Sequence, residues 1–378
     1  MDRKRVVLVG TSTLAQNTRV SKEVKALVEN GYMVTFLGWN RGAKAPTVEE
    51  VESTERLTEI RLRLKAPLGS KIVLFYPLWW CFVFFSLILR KWDIAHAVNL
   101  DSIPPTVIAG KLKRKPAIYE IVDGYEDALL LPKLIRDACV KVDKLFMWLV
   151  NAVVIVDEMQ IEAFNRIPNS KVVVVYDSPA DVSGDISIAH RRNSTFTLFY
   201  GGILSSGRAL NLDKLFAAVK SIQDIRVVIA GWGDLVEEIK GWSRQVPDTI
   251  QFIGAISHAE VLRRAIEADL LFMLRSPTPL TNKYICGSKL LEAMVCGKPI
   301  LVNKGTSTAR KVSEENCGLV IDVNNIEEIR EAIIKLRDNP ALCQELGANA
   351  RKAYEQKYGW HIMEQRLLNL YDELTGKA

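Results

Sequence analysis

The sequence GSKLLEAMVCGKPILVN, Gly287 to Asn303, sets a lysine and a single carboxylate into an otherwise small and apolar helix. A Gly287-Ser288 start leaves free backbone N–H groups at a helix N-terminus, where the helix dipole favours an anion such as a diphosphate. Lys289 adds a formal positive charge at that point. Glu292 follows Ser288 by four residues, hence on the same face, and a carboxylate there can accept two hydrogen bonds from a diol such as ribose. An anion cradle beside a diol acceptor is a nucleotide-binding arrangement. The competing interpretation of Glu292 is an ordinary exposed helical acid.

Elements of the right kind surround this helix. In the N-terminal half, RVVLVG (5–10), a loop, RVSKEVKALVENG (19–31) and YMVTFLGW (32–39) read as a βαβ unit. Continuous β-branched runs at 93–98, 116–122 and 152–157 suit a parallel sheet buried on both faces. After the polar stretch HRRNSTF (190–196) a second series begins: strands at 197–202, 226–233, 250–254, 269–274 and 299–303, with helical segments NLDKLFAAVKSI and HAEVLRRAIEA between them. The pattern predicts two doubly wound α/β domains. Such sheets bind ligands beyond the C-terminal ends of their strands, so two facing domains imply a cleft.

With 378 residues, 25% charged and 48% hydrophobic, the composition is that of a folded two-domain protein. The net charge of +6 is spread over the whole length, with no dense basic run interleaved with aromatics, which disfavours nucleic acid as a partner. Six cysteines without a CxxC pair, and a start that enters a strand directly, predict a reducing cytoplasm. Four scattered histidines and the lack of any Asp-x-Asp argue against a metal site. GxGxxG is absent, so an NAD-linked enzyme is disfavoured, and Gly231 and Gly233 either let the backbone approach a nucleotide base or form a turn.

One segment stands apart. From Ile72 to Leu89 no residue is charged, and Trp79, Trp80, Lys71, Arg90 and Lys91 supply interfacial anchors. A true span would split the first sheet across a bilayer. A buried helix is one alternative; a monotopic element dipping into the membrane is the preferred one.

Taken together, NTRVSKEVKALVENGYMVTFLGW, AHAVNLDSIPPTVIAGKLKRKPAIYEIVD, FYGGILSSGRALNLDKLFAAV, VVIAGWG, ADLLFMLRSPTPLTNKYICGSKLLEAMVCGKPILV and YGWHIMEQRLLNLYDEL resemble the family-4 retaining glycosyltransferases with the GT-B fold. The resemblance implies two facing Rossmann-like domains, an acceptor domain at 1–192, a donor domain at 193–358, and a C-terminal helix (359–378) crossing back to the first. It makes Glu292 the second acid of the family's Glu-x7-Glu motif, binding the donor ribose. Donor contacts carry over to Gly202, Arg208, Gly231, Gly233, Gly287, Ser288, Lys289, Leu290 and Glu292, with Arg208 and Lys289 on the diphosphate. Acceptor-side contacts fall to Arg19 and Asp123, and catalytic roles to Asp123, Arg208 and Lys289. Three positions depart from the family: Tyr284 stands where the first acid belongs, Val122 replaces a frequent His, and Ile203 an Arg.

The resulting expectation is a retaining, metal-independent transferase moving a hexose from a UDP- or GDP-linked sugar, without a separate cofactor, to a glycan or polyprenyl-lipid-linked acceptor. Peripheral association with the cytoplasmic membrane face follows from the apolar segment. The alternatives are a non-catalytic nucleotide-sugar-binding subunit, given the three departures, and a GT-B nucleotide-sugar epimerase.

Overall fold

The computed structural model describes residues 3–43, 46–67, 69–122, 133–164, 171–181, 195–278 and 280–376. Two compact units form, Met1–Val175 together with Met363–Ala378, and Tyr176–Ile362. The division therefore falls at 175/176, ahead of the expected 192/193, and most of the polar stretch that marked the latter lies outside the described residues.

The first unit is built on a sheet ordered β3-β4-β2-β1-β5-β6-β7-β8. Its strands are β1 (Arg5–Val9), β2 (Met33–Asn40), β3 (Thr47–Thr54), β4 (Leu57–Arg63), β5 (Ile94–Val98), β6 (Ala117–Ile121), β7 (Ala152–Ile155) and β8 (Lys171–Val174). All pair in parallel except β3, which runs antiparallel to β4. The sequence pattern missed β3, β4 and β8. TVEEVEST is an edge strand rich in acids.

Helix α1 (Thr18–Glu29) connects β1 to β2 in one direction along the sheet. Helices α2 (Tyr76–Leu89), α3 (Ile103–Lys113) and α4 (Lys133–Leu149) make the connections that run the other way. With right-handed crossovers, α1 must cover one face and α2, α3 and α4 the opposite face. The core agrees: Val7, Ala95, Tyr119 and Val153 pack with Trp79, Val83, Val107 and Met147. Residues one position out of phase, such as His96 and Glu120, point to the α1 face.

The apolar segment resolves as a short 3-10 turn followed by α2. Tyr76, Trp79, Val83 and Leu87 are buried against the sheet, whereas Leu78, Phe85 and Leu89 are 56%, 58% and 79% exposed. Taken with the preceding turn, Lys71–Leu89 is long and apolar enough to cross a membrane by length and composition only, and 33% of that stretch is buried. The segment is thus not a helix buried all round.

The second unit carries a parallel sheet ordered β11-β10-β9-β12-β13-β14. Its strands are β9 (Phe196–Ile203), β10 (Ile225–Trp232), β11 (Ile250–Phe252), β12 (Leu270–Met273), β13 (Ile300–Asn303) and β14 (Gly318–Ile321), the last not read from the sequence. Strand order reverses between β9 and β12, which makes the C-terminal ends of that pair the topological switch point. The remaining helices are α5 (Met159–Ala163) in the first unit, then α6 (Leu212–Val219), α7 (Val236–Gln245), α8 (His258–Glu267), α9 (Leu280–Tyr284), α10 (Ser288–Cys296), α11 (Ser307–Glu314), α12 (Ile326–Asp338) and α13 (Pro340–Ala353), and α14 (Trp360–Thr375), which brings the chain back to the first unit.

Candidate functional site

Helix α10 starts at Gly287 and stops at Gly297, whose φ of +62° supplies the left-handed C-cap. Every residue from Lys289 to Cys296 is buried, so the composition that looked odd for a surface helix is that of a core helix. Glu292, only 3% exposed, is not a surface acid. The Lys289 ammonium lies 2.5 Å from each of its carboxylate oxygens. His258, the first residue of α8, places Nε2 3.6 Å from Oε1 and is itself 54% exposed. Burial alone would raise the Glu292 carboxyl; Lys289, and then His258, outweigh it and hold the group below its ordinary value, ionised.

Gly202, at the C-terminal end of β9, adjoins this pair. A Cβ built on it would stand 3.2 Å from Lys289 Cε, so the glycine makes room for the lysine. Gly287 is crowded by Met273 at the end of β12, and its N–H donates to Thr308 Oγ1 at 3.0 Å. One of the amides expected for an anion is therefore already used within the fold. Ser288 opens the helix and Leu290 is buried behind it.

Gly231 and Gly233 have φ of +146° and +148°, and Cβ atoms there would fall 1.9 Å from the Gly202 carbonyl and 2.1 Å from that of Leu204. Their freedom serves a close approach to the protein's own β9 loop. That contact sets the course of residues 202–204. The loop is held further on by Asp234, whose carboxylate accepts from Ser206 N at 3.2 Å and Oγ at 2.5 Å, hydrogen bonds that also lower its carboxyl. Asn282 donates to the Arg208 carbonyl at 3.2 Å and the Ser276 carbonyl at 2.9 Å, and Asn211 reaches the Ala209 and Leu274 carbonyls at 2.8 and 2.6 Å. The Arg208 side chain is exposed. Of the two expected diphosphate cations, Arg208 faces solvent and Lys289 is paired with Glu292.

Sequence reasoning missed His258, Asn211, Asn282 and Asp234. The last three act through loop geometry that spacing does not reveal. His258 sits directly after its N-cap, Ser257, and nothing in the sequence ties it to α10.

In the first unit the expectation for Arg19 is corrected. It is 4% exposed and closes on Glu120, with Nε 2.7 Å and Nη2 2.5 Å from Oε1, and on Glu23 at 3.3 Å. His96 lies 3.3 Å from the other Glu120 oxygen and shares a 2.6 Å hydrogen bond with Tyr371 on α14. Two buried acids thus share one guanidinium. Burial would raise Glu120, but Arg19 and then His96 pull it down to about 2; burial and then the Glu120 charge push Glu23 well up. Arg19 is committed to this network, and Asn17, where the family has an acid, caps α1 by accepting from Val20 N at 3.1 Å. A further buried acid, Asp101, follows β5; burial lifts it to about 6 against hydrogen bonds from Thr11 and Ser102. Asp123 lies outside the described residues.

The glycosyl transferases group 1 family model matches residues 187–353. A Corynebacterium glutamicum GDP-mannose-dependent monoacylated alpha-(1-6)-phosphatidylinositol monomannoside mannosyltransferase is 25% identical over 39% of this chain and 39% of its own length. The match thus spans well under two thirds of that relative. Among solved structures, sucrose-phosphate synthase from Thermosynechococcus elongatus superposes with a TM-score of 0.75 at 16% identity, over 100% of both chains. Anabaena HepE in complex with UDP and glucose gives 0.70 at 14% identity, over 98% of this chain and 100% of its own. The fold is GT-B, with two Rossmann-like α/β domains.

Proposed function

We propose that the chain transfers a hexosyl group from a UDP- or GDP-linked sugar, with retention of configuration and without a metal, to a lipid-linked or glycan acceptor. The observation that carries this is the buried Lys289–Glu292 pair beside the switch point of the second sheet. A carboxylate kept ionised at 3% exposure is a strong acceptor for a ribose diol. An ammonium has three donors, so Lys289 can keep one Glu292 oxygen and turn another proton to the donor diphosphate. Arg208 and the α10 amides add positive potential where the leaving group gains charge, which is electrostatic stabilisation of the departing diphosphate. Gly202, Gly231 and Gly233 shape the loop under it, and Asp123 keeps the acceptor-side role that the sequence gives it. The GDP-mannose dependence of the mannosyltransferase relative supports a nucleotide-sugar donor. Peripheral placement on the cytoplasmic membrane face goes with a lipid-linked acceptor.

The test is a screen of UDP-, GDP- and ADP-sugars for thermal stabilisation of the wild type and of Glu292→Ala. A donor-specific rise in Tm that the variant lacks is expected; no rise with any donor overturns the donor site. Tyr284, with the Lys283 ammonium 4.9 Å over its ring where the family has its first acid, favours one second reading, a donor-binding subunit without turnover. Donor consumption in the presence of acceptor separates the two.

A further inference from the structure

We propose that the outer face of the α2–α3–α4 layer is a docking surface for an anionic lipid bilayer. This deepens the membrane side of the function proposed above, and rests on that reading for its biological purpose but not for its physical basis. Along the α2 segment Leu74, Leu78, Phe85 and Leu89 recur at near-helical spacing and are 78%, 56%, 58% and 79% exposed. On α3, Ile108 and Leu112 are 52% and 65% exposed, one turn apart. On α4, Leu145 and Trp148 are 54% and 64% exposed, again one turn apart. These three helices cover the same face of one sheet, so their outward stripes belong to one surface layer. An exposed apolar surface drawn from three adjacent elements marks an interaction site rather than scattered surface residues.

Charge selects the occupant. Helices α2 and α3 contain no acid, and of the two on α4, Asp143 is buried and bonded to Tyr119, leaving Asp137 as that helix's exposed acid. The cations are numerous: Lys91 follows α2, Lys111 and Arg114 end α3, and Lys141 lies on α4, all exposed, while Lys115 is paired with Asp93 at 3.1 Å. The C-terminal ends of α2 and α3 meet, since Lys113 donates to the Arg90 carbonyl, so Lys91, Lys111 and Arg114 gather at one end of the layer. Apolar side chains at helix height with a rim of lysine and arginine match an interfacial element on an anionic leaflet. A second copy on this face would bring the cationic rims together, which disfavours self-association.

The experiment is flotation of the full chain with vesicles of phosphatidylcholine alone and of phosphatidylcholine mixed with phosphatidylglycerol. Binding to the mixed vesicles only, weakened by added salt, is expected. Phe85→Glu with Leu89→Glu should lower the partition coefficient at least about tenfold, and Lys91→Glu, Lys111→Glu and Arg114→Glu together about a hundredfold. All five positions are at the surface, and each variant is checked for the wild-type circular dichroism spectrum and for the donor-dependent Tm rise. Equal binding to both vesicle types, or variants that bind like the wild type, overturns the proposal. So does a lack of vesicle binding, including the case where sedimentation shows a dimer that Phe85→Glu dissociates, which would assign the face to a second copy. An intact donor shift without vesicle binding removes the docking surface alone; vesicle binding without any donor shift removes the donor reading alone.

Discussion

Each unit buries a carboxylate against a cation and a histidine, and the two sets differ in every other respect. In the first unit Arg19, Glu23, His96 and Glu120 come from α1, β5 and β6, none is more than 4% exposed, and two acids compete for one guanidinium. In the second, Lys289 and Glu292 are neighbours on one helix turn, the charges balance one to one, and His258 opens to solvent. Sealed and assembled over long range, the first set pairs its charges within the unit, although both Glu23 oxygens, His96 Nε2 and Glu120 Oε2 make no hydrogen bond among the described residues. Local and open on one side, the second has an edge that a ligand can reach. A buried ion pair by itself says little about function; access and charge balance decide.

The sharpest way to break this contrast is to remove the cation from the sealed set. Arg19→Met leaves Glu120 as an uncompensated buried charge and should cost about 3–5 kcal/mol in urea unfolding. Glu23→Gln, replacing an acid that burial and the Glu120 charge push well above its ordinary value, removes the cost of holding that group against ionisation and should stabilise the fold at neutral pH. An Arg19→Met variant as stable as the wild type would refute the structural assignment.

The acid limb comes next in size. With Glu23→Gln in place, Glu120 is the depressed acid of the pair, its folded value of about 2 lying below the ordinary 4.5. Its contribution is then complete above the unfolded value and lost as pH falls through the folded one. Glu23, raised, works in the opposite sense and above that window, so wild type should first gain stability as pH falls toward 4.5 and then lose it below. Urea midpoints for both proteins across acid pH check the sign.

Smaller again is Glu292→Gln, expected to cost about 1–3 kcal/mol by weakening the partner of Lys289. Unlike Arg19→Met, it should abolish the donor-dependent Tm rise; a shift that survives would place both sets in the structural class. Smallest is His258→Ala, which at 54% exposure should stay within about 0.5 kcal/mol in stability. Its informative readout is a weakened donor shift, and an unchanged shift would confine the open edge to Glu292 and Lys289.

The order and type of the main strands, the helix starting at Gly287 and the pairing of Ser288 with Glu292 on one face were legible in the residues. They depend on runs of apolar residues, caps and a 3.6-residue period, which are local. The same locality explains the misses. Nothing near Arg19 announces Glu120, a hundred residues on, and the two glycines of GWG look like a ligand loop until the carbonyls of Gly202 and Leu204 are found against them. The cationic residues read as evenly spread because acids alternate with them along the chain; layering α2, α3 and α4 on one face sorts them by side.

By itself, then, the sequence determined the two α/β series, the family resemblance and the local Ser288–Glu292 geometry, because each is written within a few turns of chain. Only the tertiary structure decided that Glu292 is buried and paired, that Arg19 is committed inside the first unit, and that the apolar segment keeps one face on the sheet and one outside. Those outcomes depend on which distant groups desolvate or neutralise a side chain, and burial and charge pairing are properties of the packed fold.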